Sequence, residues 1–360
     1  MKEIQQRTAR SGKTQAAGMG KGQARLKDIA RSLNISISTV SRALGGSHDI
    51  NKDTRKAVVE MARKMAYAPN QIAQSLRTNT THTLGIIVPD LTTYFFSANL
   101  SGFQEIAAEK GYNVMICQSN ESYEEEMRNI NTLMASRVDG LIISLSKETS
   151  KDDHLKMLHK KGIPLVLFDR VSDSIDTTRI IVDEHDGAFK ATAHLIEMGY
   201  KRIAHLSGPE NLSISRHRQE GYIEALQKNN LPVQEHLIRH STLTDNDLRE
   251  QVRALLDLPN PPDAIFAIND AAAMQAMLVI KSRGLKMPED IGLIGFNDEP
   301  VTSLVEPSVS TIAQPAFQIG KLAASHVLEQ INNPHGFIAQ KIILKTELII
   351  RDSSKRVRGE

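Results

Sequence analysis

From Leu84 onward, short apolar runs alternate with longer amphipathic stretches, and this alternation restricts the fold more than any other feature of the 360-residue chain. Continuous apolar strands separated by helices are typical of parallel sheets with both faces covered. The series repeats on either side of about residue 183, which predicts two similar α/β lobes. The predicted strands are 84–88, 112–117, 140–145, 164–168, 180–182, 202–206, 264–268 and 291–296.

Polar and aromatic residues stand at the ends of these predicted strands. Ligands of open parallel sheets bind outside the carboxyl ends of the strands, which in a two-lobed protein means the cleft between the lobes. Carboxylates and amides above an aromatic face suit a small polar ligand such as a sugar. Each residue alone is more often a cap or turn residue, but together they would line one cleft. The candidates are Asp90, Phe95, Phe96, Asp169, Asn269 and Asn297.

The first part of the chain is strongly basic and the remainder is acidic. Residues 1–82 carry 15 Lys and Arg against 5 Asp and Glu, a net charge of +10, whereas the remaining 278 residues carry 29 against 37, a net of −8. A basic head on an acidic body is typical of a protein whose head meets a polyanion, most often nucleic acid.

Residues 24–67 have the pattern of three short helices, at 26–33, from Ser36 to Leu44, and at about 52–65. The break at Asn34 and Ile35 and the N-cap at Ser36 predict a helix-turn-helix. Three-helix modules also bind proteins, but the basic charge favours DNA. The outer face of the second helix would meet base edges, where Arg can donate twice to guanine. That face carries Ile37, Ser38, Ser41 and Arg42.

Several classes of site and location are excluded or disfavoured. Cys117 is the single cysteine, so neither an internal disulfide nor a multi-cysteine zinc site is possible. The 12 histidines show no metal-ligand spacing, no catalytic constellation is present, and no cofactor is expected. The apolar runs are too short for a membrane span, and residues 1–22 lack the apolar region of a secretory signal. A cytoplasmic protein that is not an enzyme is therefore expected.

Three stretches of the head match a known pattern: LKDIA at 26–30, ISISTVSRAL at 35–44, and YAPN at 67–70 with Ala73 and Leu76 beyond it. In these stretches the chain resembles the LacI/GalR family of bacterial transcription regulators, and the resemblance extends from about residue 24 to residue 353. It implies that Ile37 and Ser38 read bases and that Arg42 is a further groove contact. The implied DNA-binding set also includes Lys27, Ser36, Thr39, Ser41 and Asn51.

The resemblance also implies a hinge helix over residues 70–76 that enters the minor groove. Asn70 and Ala73 belong to it, and Leu76 matches a leucine wedge that opens a base step and bends the DNA. Without the family pattern, Leu76 and Ile72 would be ordinary packing residues of a short linker helix.

For the core, the resemblance implies that Arg218 is the main ligand-binding arginine and that Asn269 is a ligand-binding asparagine. Two departures bear on the ligand. Asn297 stands where the family usually has Asp, and no aromatic residue lies near Leu243, where some members stack one on the ligand. The identity of the ligand therefore stays open.

We expect a DNA-binding transcription regulator, and a repressor is the kind of regulator that we favour. It would bind a pseudo-palindromic double-stranded DNA operator as a homodimer, under the control of a small ligand such as a sugar. The fold expected is an all-α helix-turn-helix head with a hinge helix, joined to a two-lobed, periplasmic-binding-protein-like α/β core. A stand-alone sugar-binding protein and an enzyme built on the lobes are the alternatives. The expected divisions are 1–23 (flexible basic tail), 24–69 (DNA-binding domain), 70–82 (hinge and linker), 83–353 (ligand-binding and dimerisation core) and 354–360 (polar tail).

Overall fold

The computed structural model describes residues 24–67 and 80–356. The chain divides into two compact units between Asn79 and Thr80, and each is described by itself. The predicted hinge residues Asn70, Ala73 and Leu76 lie outside the described residues, as does the predicted tail 1–23.

The head contains the three predicted helices, with boundaries within one residue of expectation: α1 (Leu26–Leu33), α2 (Ile37–Leu44) and α3 (Lys52–Lys64). Asn34 adopts a left-handed conformation (φ 52°) that turns the chain between α1 and α2. Ser36 caps α2, since its Oγ accepts from the backbone N of Thr39 at 3.0 Å. The small core consists of Ile29, Ala30, Val40, Ala43, Val58 and Ala62.

The first lobe of the core is built mainly from residues 80–183. Its elements are β1 (Thr83–Val88), α4 (Tyr94–Glu109), β2 (Asn113–Gln118), α5 (Tyr123–Ala135), β3 (Gly140–Ile143), α6 (Asp153–Lys160), β4 (Leu165–Phe168) and β5 (Thr178–Val182).

The second lobe follows directly. Its elements are α7 (Glu184–Glu197), β6 (Ile203–Ser207), α8 (Ser213–Lys228), β7 (Ile238–His240), α9 (Asp245–Leu256), β8 (Ala264–Ala267), α10 (Asp270–Ser282), β9 (Gly292–Ile294), α11 (Val301–Leu304) and β10 (Thr311–Ala313). The chain then returns to the first lobe for α12 (Ala316–Asn332) and β11 (Lys341–Leu344). Its last strand, β12 (Glu347–Ile349), pairs with β10 of the second lobe.

Two parallel sheets form the core, in the strand orders β11-β5-β4-β3-β1-β2 and β7-β6-β8-β9, and β10 and β12 make a small antiparallel pair. All eight predicted strands are confirmed, whereas β7, β10, β11 and β12 were not predicted. The expected division of the core into two lobes near residue 183 is incomplete. Residues after 315 return to the first lobe, where α12 packs on α4 and β11 pairs with β5. The chain therefore crosses between the lobes three times.

Helices cover both faces of each sheet. In the first lobe, Ile86 of β1 faces the side of α4 and α12, and its neighbour Ile87 faces the side of α5 and α6. In the second lobe, α9 and α10 cover one face, and α7 and α8 cover the other. Because both faces of each sheet are covered, a ligand can reach the sheet at the carboxyl ends of its strands.

The packed core extends one residue beyond the expected end at 353. Ser354 is fully buried, and its Oγ lies 2.7 Å from Nε2 of His194 and 2.6 Å from Oγ of Ser310. In the part of the chain that the structure describes, no helix is long and apolar enough to cross a membrane.

Two glycines allow α4 and α12 to approach backbone to backbone. A Cβ atom at Gly320 would lie 2.0 Å from the carbonyl oxygen of Asn99, and one at Gly102 would lie 2.2 Å from that of Phe317. Because both neighbouring atoms belong to helix backbones, they cannot move aside as a flexible side chain would.

Gly320→Ala is therefore expected to lower the free energy of unfolding of the core by about 1–3 kcal/mol, the usual cost of overpacking. Urea unfolding followed by circular dichroism measures this change. Ser325→Ala, on the exposed face of the same helix, is the matched control. Equal stability of the two variants would contradict the close approach of the helices.

Candidate functional site

The head presents a polar and basic surface on α2. Val40 and Ala43 are buried, which leaves Ile37 with 52% of its surface exposed and Ser38 and Arg42 also exposed. Of the other predicted DNA-binding residues, Lys27, Ser36 and Asn51 are exposed, and Thr39 and Ser41 are half-buried.

Two of these residues have a structural role in the head itself. Ser36 caps α2, and its Oγ is also 2.7 Å from the hydroxyl oxygens of both Ser38 and Thr39. Asn51 caps α3, where its Oδ1 accepts from the backbone N of Asp53 at 2.9 Å. The two caps fix the ends of the helices that bear the exposed residues.

The core contains a cavity of about 170 Å³ between its two lobes, at the carboxyl ends of the strands. The structure brings together there all seven residues proposed from the sequence: Asp90, Phe95, Phe96, Asp169, Arg218, Asn269 and Asn297. Seven further residues line it that were not proposed: Thr93, Glu121, Arg170, Ile214, Leu243, Ala271 and Gln314.

Arg218 lies on α8 and is only 2% exposed. Its Nε donates to Oε2 of Glu184 at 2.6 Å, and its Nη1 donates to the carbonyl of Ile268. The guanidinium carbon lies 3.6 Å from the centroid of the Phe296 ring. The buried charge is thus paired, hydrogen-bonded and stacked, which holds the guanidinium in one orientation.

Asp169 and Arg170 follow β4 into the cavity. Asp169 has a left-handed backbone (φ 58°), and its Oδ2 accepts from Oγ of Ser144 at 3.1 Å. Burial raises the pKa of Asp169 to about 6 from its ordinary value of 3.8, against the opposing effect of the Arg170 charge. Arg170 itself pairs with Glu121, with Nη1 2.6 Å from Oε2.

Three amide side chains belong to the second lobe. Oδ1 of Asn269 accepts from the backbone N of Ala272 at 2.8 Å, so this residue caps α10 as well as lining the cavity. Oδ1 of Asn297 accepts from Nε2 of Gln314 at 2.7 Å. Because these carbonyl oxygens already have partners, the NH₂ groups of Asn269 and Asn297 are what the two amides chiefly offer to a ligand.

The first lobe supplies an aromatic wall and a carboxylate. Phe95 and Phe96 open α4, and their ring centroids lie 5.2 Å apart in an edge-to-face arrangement. Asp90 accepts through Oδ1 from the backbone N of Thr92 at 2.8 Å, so it is also a turn residue. Leu243 adds an aliphatic side chain from the second lobe.

Glu299 joins the two lobes beside the cavity. Its carboxylate accepts from the backbone N of Tyr94 at 3.0 Å and of Phe95 at 3.2 Å, and so caps α4 from the opposite lobe. Its own backbone N donates to Oδ2 of the buried Asp270 at 2.8 Å. A residue of the second lobe therefore holds the helix that bears the aromatic wall.

The missed cavity residues had identifiable signals in the sequence. Arg170 immediately follows Asp169, and Glu121 lies three residues after β2, so both polar residues stand close behind strands that the sequence predicted. Leu243 and Gln314 follow β7 and β10, two short strands that were themselves missed. Among the described residues, no group of three His, Cys, Asp or Glu side chains could hold a metal ion.

Comparison with known proteins gives two family matches. Residues 25–70 match the model for bacterial regulatory proteins of the lacI family, and residues 81–350 match that for periplasmic binding proteins and the sugar-binding domain of the LacI family. The chain belongs to the LacI family of bacterial regulatory proteins.

The similarity extends along nearly the whole chain. The HTH-type transcriptional repressor CytR of Escherichia coli K12 is 31% identical over 332 residues, which are 92% of this chain and 96% of CytR. A solved structure described as a transcriptional regulator CelR–cellobiose complex is 26% identical with a TM-score of 0.70, and covers 92% of this chain and all of that one. A Lac repressor dimer bound to operator and the anti-inducer ONPF has the same fold, with a TM-score of 0.82 at 24% identity over 92% of this chain and 99% of that one.

These findings confirm the family resemblance and the fold class expected from the sequence. The chain is a transcription regulator with a DNA-binding helix-turn-helix head and a ligand-binding core, and the LacI family to which it belongs consists of transcription regulators.

The raised pKa of Asp169 leads to a pH-dependent stability. The folded chain keeps this proton up to a pH of about 6, whereas the unfolded chain releases it near 3.8, so the free energy of unfolding falls as the pH rises between these values. Asp169→Asn is expected to stabilise the core by about 1–3 kcal/mol at pH 7.5 and to lose most of this advantage at pH 4.5. Urea unfolding at the two pH values measures it.

Asp90→Asn, at a half-buried carboxylate of the same cavity, is the matched control. An Asp169→Asn variant that gains no more stability than this control at pH 7.5 would show that burial does not disfavour the Asp169 charge.

Proposed function

We propose that this LacI-family regulator is a repressor that binds a pseudo-palindromic operator as a homodimer, and that a small ligand between its lobes controls operator affinity. The main support for ligand control is that seven candidate residues from the two lobes line one cavity. A sugar or sugar derivative is the ligand class that these groups suit. The CelR structure is described as a cellobiose complex, which supports the choice.

In the proposed DNA complex, α2 lies in the major groove. Ile37, Ser38 and Arg42 read base edges there, because they are the exposed residues of this helix. Lys27, Thr39 and Ser41 fix the position of the head on the phosphates, and Ser36 and Asn51 add contacts at the N-termini of α2 and α3, where backbone N–H groups favour anions.

The hinge residues Asn70, Ala73 and Leu76 complete the proposed DNA-binding set. Two copies of Leu76, one from each protomer, would enter the minor groove at the centre of the operator. Unstacking of one base step costs a few kcal/mol, and the bend it produces brings more DNA surface onto the protein. A pseudo-palindrome with two related half-sites is the sequence that a symmetric dimer reads.

Ligand control follows from the division of the cavity between the lobes. Asp90, Phe95, Phe96 and Asp169 belong to the first lobe, and Arg218, Asn269 and Asn297 belong to the second. A ligand that contacts both sets stabilises one angle between the lobes and shifts the population toward it. By linkage, operator DNA must change ligand affinity by the same factor as the ligand changes operator affinity.

In this mechanism the chain catalyses no reaction: binding energy at the cavity selects a conformation and does not stabilise a transition state. A regulator that reads chromosomal DNA in this way acts in the cytoplasm, at the nucleoid.

Base reading by Arg42 is tested with the operator that genome-wide footprinting identifies. Arg42→Ala is expected to weaken operator binding at least about tenfold and to reduce discrimination at one base pair of each half-site, because a bidentate Arg–guanine contact contributes roughly 1–3 kcal/mol. Fluorescence anisotropy at fixed salt measures both effects. Arg63→Ala, at an exposed residue of α3, is the matched control; similar losses in both variants would refute a base contact.

A substitution of Arg218 distinguishes ligand binding from operator binding. Arg218→Lys keeps the charge but loses the forked hydrogen-bond geometry, so operator affinity should stay within about twofold while the response to the ligand falls at least about tenfold. Operator titrations with and without a sugar that changes the operator affinity of the wild-type chain measure this, and Arg216→Lys on the exposed face of the same helix is the control. An unchanged ligand response in Arg218→Lys would remove Arg218 from the proposed site.

A further inference from the structure

Both cations that line the cavity among the described residues are already paired with carboxylates. The Arg218 guanidinium is bound to Glu184 at 2.6 Å, with side chains 3% and 6% exposed. The Arg170 guanidinium is bound to Glu121 at 2.6 Å, with side chains 12% and 25% exposed. A guanidinium that already has a carboxylate partner offers a second anion little net attraction.

Glu121 is held in place as the partner of Arg170 by a second contact. The same oxygen, Oε2, accepts from the backbone N of Lys147 at 2.8 Å. The carboxylate is thus fixed from two sides, and it stays beside the Arg170 charge that it neutralises. Lys147 itself is half-exposed, and its Nζ donates to the Thr242 carbonyl at 3.2 Å across the lobes. It does not line the cavity.

Two further carboxylates line the cavity. Among the described residues, Asp90 has no cation within ion-pair distance and accepts hydrogen bonds from Thr92. Asp169 shares the Arg170 cation with Glu121, since its Oδ2 lies 4.0 Å from Nε of Arg170, an ion-pair distance but too long for a hydrogen bond. The cavity therefore has more negative than positive charge, and a negatively charged ligand would meet like charges at close range.

The hydrogen-bonding pattern agrees with the charges. Nε of Arg170 is buried and has no acceptor within the described residues, and the acceptor oxygen Oδ2 of Asp169 faces it at 4.0 Å. A hydroxyl placed between them can accept from the first and donate to the second. A carboxylate or phosphate oxygen can accept from Arg170 but has no proton to donate to Asp169.

We propose, on the basis of the proposed ligand cleft, that the cavity selects a polyhydroxylated ligand without negative charge, and that Glu121 is the residue that determines this specificity. Glu121 does so by neutralising Arg170, the guanidinium that would otherwise attract an acidic sugar or a sugar phosphate. The amides of Asn269 and Asn297 and the carboxylates of Asp90 and Asp169 then match the acceptors and donors of neutral hydroxyl groups.

The test compares neutral probes with their anionic derivatives. Galactose and galacturonate have nearly the same shape, whereas ribose with ribose 5-phosphate and uridine with uridine 5′-monophosphate differ by an added phosphate group. Isothermal titration of the full chain at pH 7.5 is expected to show binding of the neutral member of at least one pair, at least about tenfold tighter than its anion. Glu121→Gln, which keeps the shape but frees the Arg170 charge, is expected to reduce this ratio about tenfold by raising the affinity for the anion.

Glu125→Gln is the matched control. It breaks an Arg–Glu pair of the same 2.6 Å separation, with Arg128 on the exposed surface of α5, and should leave the ratio unchanged. If melting curves show that Glu121→Gln does not fold, Asp169→Asn tests the charge of the cavity. Because Asp169 also accepts from the ligand in this proposal, the expected result is a higher affinity for the anion, and a ratio that falls only through weaker binding of the neutral sugar would count against the proposal.

The outcomes separate the two proposals. A preference of the wild-type chain for the anion of any pair would overturn the inferred ligand class while leaving the ligand cleft in place. A ratio unchanged by Glu121→Gln would remove the specificity role of Glu121. Failure of every probe to bind the wild-type chain would count against the ligand cleft itself, and the inferred specificity would fall with it.

Discussion

The arrangement of the cleft depends on a buried guanidinium. Arg218 is 2% exposed, and a charge so far from water is tolerated only because Glu184, the Ile268 carbonyl and the Phe296 ring surround it. These partners come from the start of α7 and from the ends of β8 and β9, so one side chain ties together three elements of the second lobe. The position of Arg218 is consequently set by the fold and not by the ligand, which is what a preorganised site requires.

The sequence predicted the strands that contain continuous apolar runs, whether these are buried, as in β1, or partly exposed, as in β2. The eight predicted strands are the ones with apolar runs long enough to be read, such as β1, with five successive buried residues. The four missed strands have only three or four residues each. In β11, exposed positions alternate with half-buried ones. Their place is decided by pairing with distant strands, as β11 pairs with β5, and no local pattern contains that information.

The same division applies to the cleft. The seven residues proposed from the sequence follow strands or belong to a recognisable motif, so a topological rule and a family pattern were enough to bring them together. What could not be read is how the side chains pair. The Arg170–Glu121 contact joins residues 49 positions apart, and Glu299 caps a helix that begins 205 residues earlier. Such contacts depend on the register of strands in two lobes, and in this cleft they determine both its charge and its connection to the opposite lobe.

The carboxylates of the core also connect the proposed ligand cleft to the opposite lobe. Burial raises the pKa of Asp169 and of Asp270 to about 6, so ionisation of either side chain near neutral pH opposes the folded state. Asp270 is retained at this cost because it accepts from Thr311 and from the backbone of Glu299, and Glu299 in turn caps α4 of the other lobe. A ligand that displaces the Phe95 end of α4 would have to break this cap, and one that leaves it in place would keep the lobes joined on that side. In the proposed mechanism, this contact is the discrete hydrogen-bonded element through which occupancy of the cavity would act on the angle between the lobes.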